Sequence, residues 1–179
     1  MAELKADYKQ EHFITLSFEQ MVYSDIFHSV DTLAGTVQAG WQGRFRLEMP
    51  HQQLISNGIL YWSYSVENEQ VLVDSVADIG GWNPLTLLYD PEGVYQCAGE
   101  SCSDGECVFT MQALDSETVP SQFTLTADSK SHNPLKIEYI DDNDSRVVIR
   151  ISDFERLGSI DESTFEFVAP DGVEVIEMP

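Results

Sequence analysis

From His12 onward, polar and apolar positions alternate with a period of two rather than 3.6, which predicts strands instead of helices. Ile14, Leu16, Phe18 and Val22 fall on one side of the first run, with Thr15, Ser17 and Glu19 on the other. Leu33, Gly35, Val37, Ala39 and Trp41 alternate with Thr36 and Gln38; Phe45, Leu47 and Met49 alternate with Arg44, Arg46 and Glu48. Such runs describe half-buried antiparallel strands, each with an apolar and a wet face. Asn57-Gly58 stands between Leu54-Ile55 and the run Ile59 to Val66 and predicts a tight hairpin turn that needs a positive φ. A second turn at Glu67-Asn68-Glu69 leads into Gln70 to Val76, so the first half reads as a meander. Cys107 to Leu114, Gln122 to Ala127, Leu135 to Ile140 and Arg146 to Ile151 continue it, with the polar turn Asp141 to Asp144 before the last. Thr164 to Val168, the turn Pro170-Asp171-Gly172 and Val173 to Ile176 close the chain.

Two stretches break this rhythm. Ala2 to Glu11 predicts a short amphipathic helix, and Asn83 to Tyr89 predicts another, with Asn83 as N-cap and Pro84 in the first helical position. Leu85, Leu87 and Leu88 of the second must bury themselves against the apolar side of the sheet. A sheet of many strands covered only by short helices either curls on itself or keeps an apolar hollow.

The 179 residues show no internal repeat and no Pro/Gly-rich linker, so one domain over residues 1–179 is expected. An apolar fraction of 42% excludes disorder. Nine basic against 31 acidic residues give a net charge of −22, which repels phosphate backbones and excludes nucleic acid as a natural partner. The charge reads first as a strongly solvated surface, and in a sharper reading as a docking face for basic partners. No apolar run reaches the length of a membrane-spanning helix, and Met1 to Gln10 lacks the pattern of a signal peptide. The chain is then expected to be cytoplasmic or the mature form of an exported protein. Cys97, Cys102 and Cys107 favour the second. Their C-x4-C-x4-C spacing, with no nearby His, fits no usual zinc site, whereas one disulfide tying a surface loop fits an oxidising compartment. Three pairings remain open.

Catalytic signatures are missing. His12, His28, His51 and His132 are scattered, and no nucleophile elbow, phosphate loop or metalloprotease motif occurs. Asp141 to Asp144 lacks the Gly and bidentate Glu of a calcium loop. No enzyme activity, metal or cofactor is expected. Phe18, Phe45, Trp62, Tyr64, Phe123, Phe165 and Phe167 instead stand on apolar strand faces, as core or as a wall for acyl chains. Such a wall gains about 0.8 kcal/mol per buried methylene without any directional chemistry.

The order GRFRLEMPHQQLISNGILYWSY, then NPLTLL, then FEFVAPDGVEVIE resembles the LolA family of periplasmic carriers of outer-membrane lipoproteins. Phe18-Glu19-Gln20 matches its F-x-Q, Asn57-Gly58 its turn, Trp62-Ser63-Tyr64 its W-x-Y, Asn83 to Leu88 its T-P-x-x-L-L helix, and Phe165 to Val175 its close. The resemblance spans nearly the whole chain. It implies an unclosed, strongly curved antiparallel β-barrel, with short helices as a lid over an apolar cavity. It also implies a monomeric periplasmic carrier that receives a lipoprotein from an inner-membrane transporter, shields its acyl chains and delivers it to an outer-membrane receptor. Leu16, Phe18, Phe45, Leu47, Leu60, Trp62, Leu85 and Leu88 are the expected cavity and lid residues. Phe45 matches the family's cavity Phe, and Leu47 replaces its Trp. The family's Arg-Pro pair falls on Trp41-Gln42, which makes Trp41 the candidate lid latch, holding by packing. The rival expectation is an envelope interaction or stress-sensing protein on the same fold, binding a protein partner or another lipid.

Overall fold

A computed structural model of the chain describes residues 13–24, 26, 28–76 and 94–177. Among the described residues there are twelve strands: β1 (Phe13–Ser24), β2 (Ser29–Ala39), β3 (Arg44–Glu48), β4 (Gln52–Asn57), β5 (Leu60–Ser65), β6 (Gln70–Ser75), β7 (Tyr95–Ser103), β8 (Glu106–Ala113), β9 (Gln122–Asp128), β10 (Pro134–Ile140), β11 (Arg146–Leu157) and β12 (Glu174–Glu177). Their hydrogen-bonded order is β12-β6-β5-β4-β3-β2-β1-β11-β10-β9-β8-β7, a single sheet that does not close. Among the described residues the one helical element is a 3-10 turn, Glu162–Phe165. No helix there forms a lid, and the helices expected at Ala2 to Glu11 and Asn83 to Tyr89 lie outside the described residues.

The strands fall into two compact units, one with residues 18–33 and 94–154, the other with residues 13–17, 34–76 and 155–177. The boundaries lie inside β1, β2 and β11. That is why no linker composition marks them.

In the second unit, β2 to β6 form the expected meander. Phe45 pairs with Ala39 and Ser56, and Ser56 with Tyr61; Leu47 pairs with Val37 and Leu54. Opposed residues share a face, so these side chains stand together. Arg46, Ile55, Trp62 and Val73 are likewise in register on the opposite face, joined by Tyr64 and Val71. Between β4 and β5, Gly58 (φ 91°) takes the first central position of the turn, where a II′-type hairpin requires Gly. A Cβ there would stand 2.5 Å from the Gln42 carbonyl oxygen. Asn57 Oδ1 accepts from the backbone N–H groups of Ile59 and Leu60 at 3.0 and 2.9 Å. The turn is therefore centred one residue later than Asn57-Gly58 suggests.

The C-terminal segment departs from expectation twice. Thr164 to Val168 predicts a strand, but Asp161 caps a 3-10 turn instead, its carboxylate accepting from the Ser163 N–H and Oγ at 2.9 and 2.8 Å. Phe165 of that turn is fully buried. Burial and capping together override the β pattern. β12 then pairs with β6 in parallel, a connection that no hairpin rule foresees. Phe167 and Val173 pack on Ile55, Trp62 and Val71, so the segment covers the Trp62 face.

The first unit contains β7 to β10 and most of β11. Phe109, Met111, Phe123, Leu125, Ala127, Ile137, Val147 and Ile149 are buried on one face, and Thr110, Thr124, Glu138 and Arg146 stand on the other. Glu138 is paired with both Lys136 and Arg146. The Asp141 to Asp144 turn is a backbone-capping device: Asp141 Oδ1 accepts from the Asn143 and Ser145 N–H groups at 2.9 and 2.8 Å.

The cysteines lie on a hairpin rather than a loop. β7 and β8 meet at Asp104-Gly105, both at positive φ, and Cys102 is bonded to Cys107 while Cys97 is free and exposed. The bridge closes only a short ring, so its removal costs at most about 2 kcal/mol by loop entropy. Because the hairpin tip is exposed, we expect the Cys102→Ser/Cys107→Ser variant to show faster amide exchange over residues 100–108 and little change in global melting. Unchanged exchange at the tip would refute this.

Acid-sensitive order is local as well. Hydrogen bonds from Ser163 hold the Asp161 carboxyl below the usual aspartate range, and those from Ser131 do the same for Asp128. Hydrogen bonding from Lys136 lowers Glu138. A depressed carboxylate stabilises above its unfolded pKa near 4, and that contribution is lost as pH falls through its folded pKa. The Ser163 and Ser131 amide resonances should therefore titrate with midpoints below those of free aspartate. Midpoints at or above 4 would contradict the capping geometry.

Candidate functional site

Alternation settles which side chains share a strand face, and inter-strand register settles which faces coincide. Phe45, half-buried, meets Tyr61 at 6.2 Å between ring centroids. Val37, Ala39 and Leu47 on that face are buried, while Leu54 and Tyr61 are partly open. Burial raises the Tyr61 phenol above its ordinary pKa, with a hydrogen bond to Ser63 opposing, so it stays neutral throughout the physiological range. The result is a mainly apolar strip that also holds the buried Ser56 hydroxyl and the Tyr61 phenol, with Ser63 in register beside Leu54 and Asp74 beside Tyr61.

Phe13 stacks on Phe165 at 6.0 Å, on the side covered by the C-terminal segment. Alternation along β1 then sends Leu16 to the Phe45 side, and Phe18 points the same way as Leu16. Leu16 is buried and Phe18 is half-buried.

Leu60 and Trp62 do not join them. Both stand on the opposite face of β5, because Trp62 is in register with Ile55 and Val73 and Leu60 lies two residues away. Trp62 is buried against Ile55 and Val71 beneath Phe167 and Val173, whereas Leu60 is 39% exposed. The expected wall therefore splits, since one strand cannot contribute both parities to one surface. Leu85 and Leu88 lie outside the described residues.

Trp41, the expected lid latch, stands in an aromatic cluster, and the helix it would hold lies outside the described residues. It packs on Phe13 at 4.7 Å, and the Arg44 guanidinium lies 4.5 Å from its ring centroid. The same guanidinium is 5.5 Å from Phe13 and 5.6 Å from Phe165, and it pairs with Glu162. Gly40 makes room for this cage: a Cβ there would lie 2.8 Å from the Phe13 ring. Sequence reading placed Arg44 among wet-face residues and missed it. The available signal was an Arg at the start of a short strand, flanked by Trp41 and Phe45.

The fold is an open, mostly antiparallel sheet whose β2–β5 meander carries a mainly apolar strip on one face. Residues 9–168 match the family model of the outer membrane lipoprotein carrier protein LolA, and the chain belongs to that family. It is 30% identical over 126 residues to an outer-membrane lipoprotein carrier protein of Alkalilimnicola ehrlichii, covering 70% of this chain but 58% of the relative, so it spans little more than half that protein. A carrier of the same name from Methylobacillus flagellatus is 26% identical over 179 residues, covering 97% of this chain and 86% of the relative. Among solved structures, an uncharacterized conserved protein of Thermus thermophilus superposes with a TM-score of 0.63 at 13% identity, covering 99% and 98% of the two chains. A LolA superfamily protein of Nitrosomonas europaea gives 0.51 at 13% identity, over 92% and 95%. These likenesses establish the fold.

Proposed function

We propose that this chain is a single-domain periplasmic carrier that holds acyl chains of a lipoprotein on the Phe45 face and shuttles it from an inner-membrane transporter to an outer-membrane receptor. The observation that carries the reading is the strip Leu16, Val37, Ala39, Phe45, Leu47, Leu54 and Tyr61, which combines buried aliphatic side chains with two partly open rings. Membership in the carrier family supports the choice of cargo. Holding and releasing an acyl chain makes and breaks no covalent bond, so the function asks for no catalytic group. Affinity scales with the methylenes covered, at about 0.8 kcal/mol each.

The test is transfer. Purified chain is mixed with donor vesicles containing a fluorescent triacylated lipopeptide, and the soluble fraction is then added to acceptor vesicles. The expected result is a saturable 1:1 soluble complex by native mass spectrometry, followed by delivery to the acceptor. Absence of any acylated complex would refute the proposal.

A further inference from the structure

Arg150 of β11 is exposed and, among the described residues, makes neither a hydrogen bond nor an ion pair. In a chain with 31 acidic and nine basic residues, a guanidinium left without a carboxylate is unexpected. Its cross-strand neighbour sharpens the point, because Arg150 stands directly opposite Lys136 of β10. Like charges directly opposed destabilise a strand pair. Packing does not impose the conflict, since Arg150 is exposed and the Lys136 side chain is partly so.

Lys136, Arg146 and Arg150, three of the nine basic residues, share one face of β10 and β11. Glu138 on that face pairs with Lys136 at 2.6 Å and with Arg146, so three cations meet one carboxylate. Thr126 of β9 is in register with Lys136 on its other side. One row across three strands therefore presents a hydroxyl, an ammonium and a guanidinium. Asp128, two residues beyond Thr126, does not neutralise this row. Its Oδ1 accepts from the Lys130 and Ser131 N–H groups at 3.0 and 2.7 Å and from the Ser131 hydroxyl at 2.9 Å, which ties it to the turn.

We infer that Lys136 and Arg150, with Thr126 beside them, form a binding site for the phosphate group of a phosphate monoester. Directly opposed residues have Cβ atoms about 5 Å apart, so two long side chains can converge on one anion. Lys136 keeps donors beyond the one facing Glu138, and Arg150 offers its planar fork. Their two positive charges match the roughly −1.5 to −2 of a phosphate monoester at pH 7. A carboxylate would leave one cation uncompensated. The net charge of −22 repels anions at a distance, so this site holds its ligand by contact rather than by steering. Two sources carry the chemistry, a lipid headgroup and a soluble phosphate ester.

The probe is sn-glycerol 3-phosphate, titrated into the full chain and followed at the Arg150 Nε–H resonance by NMR. The expected result is a saturable shift there, with affinity reduced by about tenfold or more in Arg150→Gln and severalfold in Lys136→Gln. Acetate should shift the resonance far more weakly. Without ligand, Arg150→Gln should melt no lower than the parent chain, because its loss relieves the repulsion from Lys136. Flotation with phosphatidylcholine vesicles, with or without phosphatidic acid, separates the sources. Retention of the parent chain but not of Arg150→Gln on the phosphatidic acid vesicles assigns the site to a lipid headgroup; glycerol phosphate binding without retention assigns it to a soluble ester. The proposal is overturned if Arg150 shows no saturable shift, if acetate binds equally, if Arg150→Gln binds undiminished, or if ligand-free Arg150→Gln melts lower, which would give Arg150 a structural role. No acyl chain enters the glycerol phosphate titration, so its outcome is independent of the carrier reading.

Discussion

Phe45→Glu is expected to abolish uptake of a fluorescent acyl probe while leaving the protein folded. Phe45 is only half-buried and stands at the open part of its strip, so an ionised carboxylate there can reach water. It cannot do so and also let an acyl chain lie against Tyr61 and Leu54. Displacing three or four methylenes from contact costs about 3 kcal/mol, roughly 100-fold in affinity. Trp62→Ala is the informative partner. Trp62 packs on Ile55 and Val71 from the opposite face, beneath Phe167 and Val173, so its truncation should cost about 3–5 kcal/mol of stability. Probe affinity of the remaining folded protein should be unchanged. Urea melts and probe titrations of the two variants give a double dissociation. The reverse pattern, with Trp62 controlling affinity and Phe45 controlling stability, would assign the cargo to the other face of the sheet.

Arg44→Ala is expected to destabilise the protein far more than loss of its ion-pair partner Glu162. The Arg44 side chain is 13% exposed, whereas that of Glu162 is 71% exposed. An ion pair with one partner so open to solvent contributes little on its own. The guanidinium also lies against Trp41, Phe13 and Phe165, contacts that survive salt and depend on its planar shape. Losing them, together with the packing of the side-chain stem, should cost about 2–3 kcal/mol. Glu162→Gln should cost under about 1 kcal/mol. Arg44→Lys should recover only part of the loss, because an ammonium cannot face three rings at once. Amide exchange over residues 160–167 should accelerate in Arg44→Ala, since the cage pins Phe165. Equal losses for Arg44→Ala and Glu162→Gln would mean that the ion pair, not the aromatic cage, holds the segment.

The contrast between Phe45 and Trp62 also marks how far the sequence could be read. Both are large apolar residues on alternating strands, and both match a family motif. Alternation could say that Phe45 goes with Leu47 and that Trp62 goes with Leu60. It could not say that the two pairs oppose each other, because that depends on the register Phe45 to Ser56 to Tyr61 across β3, β4 and β5. The 3-10 turn at Glu162–Phe165 was hidden for a related reason. Thr164, Phe165, Glu166 and Phe167 alternate like a strand, and only the burial of Phe165 and the cap from Asp161 pull the segment into a turn. β8 was expected at Cys107 to Leu114, but its partner β7 was missed because Cys, Gly, Ser and Glu read as loop composition. The Cys102–Cys107 bond supplies the order that apolar side chains do not.

The sequence by itself determined the strand-rich class, the turns and the family. Period-two alternation and a few Gly, Asn and Asp positions act locally, through backbone conformation and nearest neighbours. Only the tertiary structure decided which strand faces coincide, what the C-terminal segment covers, and that Arg44 belongs with Trp41, Phe13 and Phe165. Those facts depend on register and on contacts between residues more than a hundred positions apart, such as Arg44 with Glu162. No local pattern encodes them.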